Sequence, residues 1–202
     1  MICRIQACAV LLAGIATVTL ASAQQSLTRQ DAESLQKKLS AIAARGVAPA
    51  GRPAAPLRTS VTEREVNSYL KFSAREQLPA GLVDPQVTLA GQRRVSGRAI
   101  VDLDLVRTSK PRSWLDPAAY LTGSLEVKWS GLFDTAAGKG TLHIESATVG
   151  GLPIPTSLLQ ELVSFYSKSP ELPGGFDLDK PFVLPASIRE VQIQRGAATI
   201  IQ

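Results

Sequence analysis

Few side chains in this sequence could do chemistry, and their spacing narrows the choice further. The chain has a single histidine, His143, and two cysteines, Cys3 and Cys8. His143 alternates with Leu142 and Ile144, which predicts a solvent-facing position on a strand. A zinc site needs three or four ligands, and no second histidine stands near it in the sequence. A serine triad would need His143 as base and a G-x-S-x-G elbow to hold the nucleophile; no such run occurs. Asp102 and Asp104 form the best carboxylate pair. Two residues apart on a strand they would share one face at roughly 7 Å, a separation compatible with glycoside cleavage or a weak cation site. The stronger reading makes them acidic residues on a wet sheet face, balanced by Arg98 and Arg107. Asp177 and Asp179 in GGFDLDKP lack the ligand density of a calcium loop, and no phosphate-cradling glycine loop appears. The sequence therefore assigns no catalytic residue, no metal and no cofactor.

A different chemistry is written in RTSKPRSW, residues 107–114. Arg107, Lys110 and Arg112 beside Trp114 suit contact with anionic headgroups: cations meet phosphates while the indole settles at the polar–apolar boundary. The competing reading is a solvated loop with Trp114 packed inward, and it is the more economical of the two. These four residues are the membrane-contact candidates.

The beginning of the chain sets the compartment in which any of this would operate. Met1–Ala23 carries one charge, Arg4, then an apolar run from Ala7 to Leu20 and the small triplet Ala21-Ser22-Ala23, the order of a secretory signal peptide. The expected localisation is periplasmic or secreted. Both cysteines fall inside this leader, so the remaining chain cannot form a disulfide. Ile5-Gln6-Ala7 ahead of Cys8 do not make a lipobox, and Cys8 precedes the apolar run, which argues against a lipid anchor. With 22 basic and 17 acidic residues the formal charge is +5. For an exported protein that mild excess points to lipid headgroups, wall polymers or acidic proteins, not to nucleic acid. A hydrophobic content of 45% suffices for a packed core.

The elements that must position these groups fall into two regimes. A helix is predicted from Ser26 to Arg45, with Thr28 and Asp31 at its start and Ala32, Leu35, Leu39 and Ile42 as a narrow apolar face that would dock loosely. Three prolines and two glycines in Gly46–Arg58 predict a linker. Thr62 and Glu65 then form a capping box, with Val61 and Val66 as its hydrophobic staple, and Leu78-Pro79-Ala80-Gly81 stops the second helix. Beyond Gly81 the period becomes two. Val87 and Leu89 open a short strand. Ala99, Val101, Leu103 and Leu105 line one side of the next, and Leu125, Val127, Trp129 and Phe133 one side of a third. Leu142 and Ile144 follow a hairpin loop at Ala136–Gly140. Such alternation marks an antiparallel sheet covered on one side. A helix capped by Thr156 or Ser157 and running to about Lys168 is the natural cover, with Leu158, Leu159, Leu162, Val163 and Tyr166 as its stripe. A glycine- and proline-rich loop, 169–181, leads to a last hairpin, Ile188–Gln194 and Ala197–Ile201, joined at Arg195-Gly196. The fold class is α+β: a curved antiparallel sheet packed against one or two helices, with an N-terminal helix and proline-rich linker.

From residue 61 onward the element order resembles a known group. The helix T-E-x-E-V-N-x-Y-L (Thr62–Leu70), the strands, G-L-P-I-P (Gly151–Pro155) into an apolar helix, and P-F-V-L-P-A-S-I-R-E-V-Q-I (Pro181–Ile193) are similar to exported bacterial lipid-binding proteins of the LmeA-like kind, and more distantly to the tubular lipid-binding superfamily. The resemblance implies a long curved sheet wrapped around a helix, an apolar groove between them for acyl chains, and no fixed catalytic residues. It divides the chain into a leader (1–23), a helix and linker (24–60) and a lipid-binding-like domain (61–202). The expected lining is Leu103, Leu105, Val127, Trp129, Ile144, Leu162 and Val191. Periodicity alone leaves two states open, because a dry core and a groove place Leu and Val at the same positions. The leading expectation is a non-enzymatic protein that binds a lipid or other hydrophobic small molecule and touches an anionic membrane surface transiently. Its rivals are an envelope scaffold with a dry core, engaging a partner through residues 24–60, and a carbohydrate-active enzyme using Asp102 and Asp104.

Overall fold

The computed structural model describes residues 26–47, 56–79, 81–105, 123–168, 173–178 and 180–202, without the side chain of Tyr166. Within them the chain is α+β, built on antiparallel sheets. The leader, the centre of the linker and the candidates Arg107, Lys110, Arg112 and Trp114 lie outside the described residues, as does Asp179. No described helix is long and apolar enough to cross a membrane.

The larger sheet has the order β2-β3-β4-β5-β6. Its strands are β2 (Leu82–Gly91), β3 (Arg94–Asp102), β4 (Ser124–Ala136), β5 (Lys139–Val149) and β6 (Leu152–Ile154). The two-residue strand β7 (Phe182–Val183) adds to β5 at its other end. A second sheet, in the order β1-β9-β8, joins β1 (Arg58–Thr62) to the C-terminal hairpin of β8 (Glu190–Gln194) and β9 (Ala197–Ile201). The hairpin turn at Arg195-Gly196 falls where the sequence places it. Strand β1 runs from the last residue of the predicted linker, Arg58, to the Thr62 cap: its five residues alternate too briefly to read as a strand until β9 supplies a partner.

One-residue bulges keep the apolar residues on one face despite breaks in the sequence alternation. At Asp84-Pro85 the extra residue restores Leu82 to the side of its partner Val101. In β5, Glu145 and Ser146 together oppose Ser130, so that Ile144 and Ala147 both face inward. The outward face is charged. Arg98 contacts Glu126 and Asp84, Arg94 contacts Glu145, and Lys128 contacts Glu126 at 2.7 Å. The hydrogen bond from Lys128, with help from Arg98 and against some burial, lowers the Glu126 pKa.

Helix α1 (Arg29–Val47) docks more firmly than its narrow apolar face predicts. It runs antiparallel to α2 (Glu63–Phe72), with Thr28 N–H donating to Ser68 Oγ and Arg64 donating to Asp31. Ala32, Leu35 and Ile42 are buried. Between the helices Glu65 accepts from Lys38 Nζ at 2.8 Å, from Ser34 Oγ at 2.6 Å and from Thr62 N–H at 2.9 Å. Burial pushes the Glu65 carboxyl upward, but the Lys38, Ser34 and Thr62 bonds outweigh it and bring the pKa to about 2. Lys38 lies off the apolar stripe, so hydrophobic patterning misses the contact that anchors the helix. At the far end, Gln202 Nε2 donates to the Ile42 carbonyl at 2.9 Å.

The capping box of α2 forms in both halves, and its remaining polar residues hold the edge of the large sheet. The Asn67 amide donates to the Val87 carbonyl at 2.8 Å and accepts from Val87 N–H at 2.7 Å, replacing a strand. Glu63 accepts from Leu89 N–H at 2.7 Å, and Gly196 N–H donates to the Leu89 carbonyl at 2.7 Å. An open edge would invite pairing with another chain; this one is closed by side chains and a turn. Helix α3 (Thr156–Tyr166) packs on β5. Its N-cap is Pro155, not the expected Thr156 or Ser157, and no side chain caps it.

Candidate functional site

The inward face of the large sheet carries the apolar residues, and its covering is uneven along the strands. One cluster brings Ile144, Ala147, Leu159 and Leu178 together with Trp129, Leu142, Ile154, Val163 and Phe176. Here α3 and the segment around Phe176 cover β5. A second cluster joins Leu89, Val95 and Ala198 to Val87, Trp129, Phe133, Leu142, Val191 and Ile193. It is covered by the C-terminal hairpin, fixed there by Thr135 Oγ1, which donates to the Val191 carbonyl and accepts from its N–H. Trp129 and Leu142 belong to both clusters and make them one core.

Beyond Trp129 the same face continues for two more cross-strand rows. Ala99 pairs with Val127, Val127 with Val149 and Val149 with Leu152. In the next row Leu82 pairs with Val101 and Val101 with Leu125. Alternation places both rows on the side of Trp129. All these residues are half-buried except Leu152, which is 70% exposed. None belongs to either cluster. On α3 the residues beside the buried Leu159 repeat the pattern: Leu162 and Val163 are half-buried and Leu158 exposed. A face of this kind can take up apolar surface from a guest, with no ionisable group required.

The expected lining residues fall into three groups. Val127 sits in the half-open rows, Trp129 at their boundary, and Leu162 on the half-exposed side of α3. Ile144 and Val191 instead pack inside the two covered clusters. Leu103 and Leu105 do not continue strand β3, which ends at Asp102 and passes into a helical turn. The cause is Asp102 itself: its carboxylate accepts from the N–H groups of Asp104 and Leu105, the arrangement that starts a helix. Leu103 is buried there and Leu105 is 52% exposed. The same bonds overturn the strand-face pair of Asp102 and Asp104, because one carboxylate caps a turn while the other accepts from Gly123 N–H at 3.3 Å. Periodicity did signal Ala99, Val101 and Leu125 as inward; only the pairing reveals Val149 and Leu82 beside them.

The other chemical candidates stand apart. His143 is exposed on the outward face opposite Leu132. Asp177 pairs with Lys180 at 2.9 Å. Among the described residues no three His, Cys, Asp or Glu side chains converge as a metal-binding group. No protein-family model matches the chain, and no curated protein sequence matches it significantly.

Proposed function

We propose that this protein binds a hydrophobic or amphipathic small molecule, such as an acyl chain, along the half-open rows of the large sheet. The observation that carries this reading is the pair of rows Ala99–Val127–Val149–Leu152 and Leu82–Val101–Leu125, continuous with the core yet outside both clusters. Binding would draw on transfer of the guest's apolar surface from water, about 0.8 kcal/mol for each methylene buried, less the cost of immobilising it. Trp129 would close the inner end of the site and Leu162 would flank it. The resemblance of the element order to LmeA-like lipid-binding proteins supports the same reading, and the leader-like Met1–Ala23 supports a periplasmic or secreted setting. The activity is binding without covalent chemistry.

Native mass spectrometry of protein purified without detergent, together with uptake of a fluorescent fatty acid, tests the proposal. We expect a bound lipid mass and saturable uptake, weakened at least tenfold by Val127→Asp. A protein that carries no lipid and takes up no fatty acid would overturn it.

A further inference from the structure

Val87, Gly97, Trp129, Ala147 and Ile154 form the cross-strand row that bounds the half-open rows on their inner side. The indole Nε1–H of Trp129 is the only side-chain hydrogen-bonding group in that row. It lies over Gly97, where a Cβ would come 2.6 Å from Nε1. Ala99, two residues further along β3 and on the same face, begins the first half-open row. The nitrogen thus stands where the apolar rows meet the covered core. Among the described residues no protein group accepts its hydrogen. Nor is it enclosed, because Gln202 Oε1 is the one enclosed side-chain nitrogen or oxygen without a partner among those residues. Both clusters pack against Trp129, so solvent reaches the indole from the side of the open rows.

That donor sets a condition on any guest. In the free protein water serves it. A guest that fills the rows displaces this water and must return an acceptor, since a donor buried without one costs more than the bond itself brings. An indole N–H only donates, so the acceptor belongs to the guest. The rows Ala99–Val127–Val149–Leu152 and Leu82–Val101–Leu125 contain no ionisable side chain. A carboxylate or phosphate moved onto them would find no counter-charge, and the acceptor that fits is uncharged.

We infer that the guest is an acyl compound whose carbonyl oxygen accepts from Trp129 Nε1–H while its chain runs over the two rows toward the rim of the sheet. The inference rests on the binding reading above and names the chemical class of the guest. Two cross-strand rows extend about 14 Å beyond Trp129, enough for a chain of about ten carbons. A carbonyl suits the position better than a hydroxyl, because it brings no hydrogen of its own that the apolar site would leave unsatisfied. Trp129 is then the residue that sets specificity: it separates carbonyl-bearing chains from plain hydrocarbon of the same length.

The test compares methyl laurate with tetradecane, a hydrocarbon of equal chain length. Both are delivered from cyclodextrin and compete with the fluorescent fatty acid. The ratio of their competition constants in the parent, divided by the ratio in Trp129→Phe, isolates the bond, because differences between the free probes cancel. The parent should prefer the ester about three- to tenfold more than the variant does, the net worth of a neutral hydrogen bond. A second readout uses the unaltered protein: the indole N–H proton resonance of Trp129 should move downfield with methyl laurate and not with tetradecane. If Trp129→Phe does not fold, that resonance decides. Equal ratios in parent and variant, or an indole proton that answers both probes alike, overturns the assignment. Equal competition by the two probes with fatty-acid uptake intact removes this inference and leaves binding in place. Loss of competition and of uptake together removes both.

Discussion

Gly97 lies directly beneath the indole of Trp129. The two are cross-strand partners, and a Cβ at position 97 would come 2.6 Å from Trp129 Cε2 and Nε1. The ring occupies the space a side chain would take, and it does so at the junction of both core clusters. An indole packed on both sides cannot swing away cheaply. Gly97→Ala should therefore cost about 1–3 kcal/mol, the range for overpacking a filled site. Urea denaturation gives the loss, and a shift in tryptophan emission reports the displaced ring. An unchanged midpoint would mean that the indole is free to move.

Asn67 offers a prediction about the sheet edge. Its amide supplies both a donor and an acceptor to Val87. Asn67→Asp keeps the shape but replaces the donor with a charged oxygen facing the Val87 carbonyl. The expected loss is about 1–3 kcal/mol, the cost of leaving a partly buried polar group unsatisfied. Asn67→Leu removes both bonds and exposes the strand edge, so it should also aggregate faster on warming, as followed by light scattering. Equal stability and equal scattering would show that water substitutes for the amide.

The Glu65 cluster predicts how stability responds to acid. The folded pKa, about 2, lies below the ordinary value of 4.5. The carboxylate therefore stabilises the fold above pH 4.5, and that contribution is lost as pH falls from there toward 2. Its size at neutral pH is on the order of 3 kcal/mol. Glu65→Gln should flatten the acid limb of the stability curve over that window. Lys38→Met should cost about 3 kcal/mol at pH 7, because it leaves a buried carboxylate without its cation. An acid limb identical in parent and Glu65→Gln would sink the argument.

These anchors mark what the sequence could convey. The α2 start was legible because Thr62 and Glu65 act on each other three residues apart, and local geometry alone fixes such a pair. The antiparallel sheet was legible because alternation over β4 and β5 survives a bulge. By contrast, β1 and β7 exist through partners far along the chain, which local patterning does not encode. The Lys38–Glu65 contact joins residues 27 positions apart through a side chain that any hydropathy scale assigns to water. Asp104 was misread for a related reason: Asp102 stays on the wet face of β3, but an acidic residue there can also cap a helical turn, and only its bonds to the N–H groups of Asp104 and Leu105 show that the strand ends. Half of the candidate face was legible in the same way. Ala99, Val101, Leu125 and Val127 declare their side by period two, but which stretch of that side is covered depends on where α3 and the last hairpin land.

Filling the half-open rows separates a groove from a closed core. Ala99 is half-buried, pairs with Val127 and lies next to the row headed by Trp129. A phenylalanine at this position adds a ring above the sheet. If the rows leave room for a guest, Ala99→Phe should keep its stability to within about 1 kcal/mol, since the ring enters vacant apolar space. It should also weaken fatty-acid uptake at least tenfold, because ring and guest compete for the same surface. If the face is already filled, the substitution should instead cost about 1–3 kcal/mol through overpacking. Denaturation and uptake measured on one preparation decide between the two. Stability retained together with full uptake would place the guest elsewhere and count against these rows as the site.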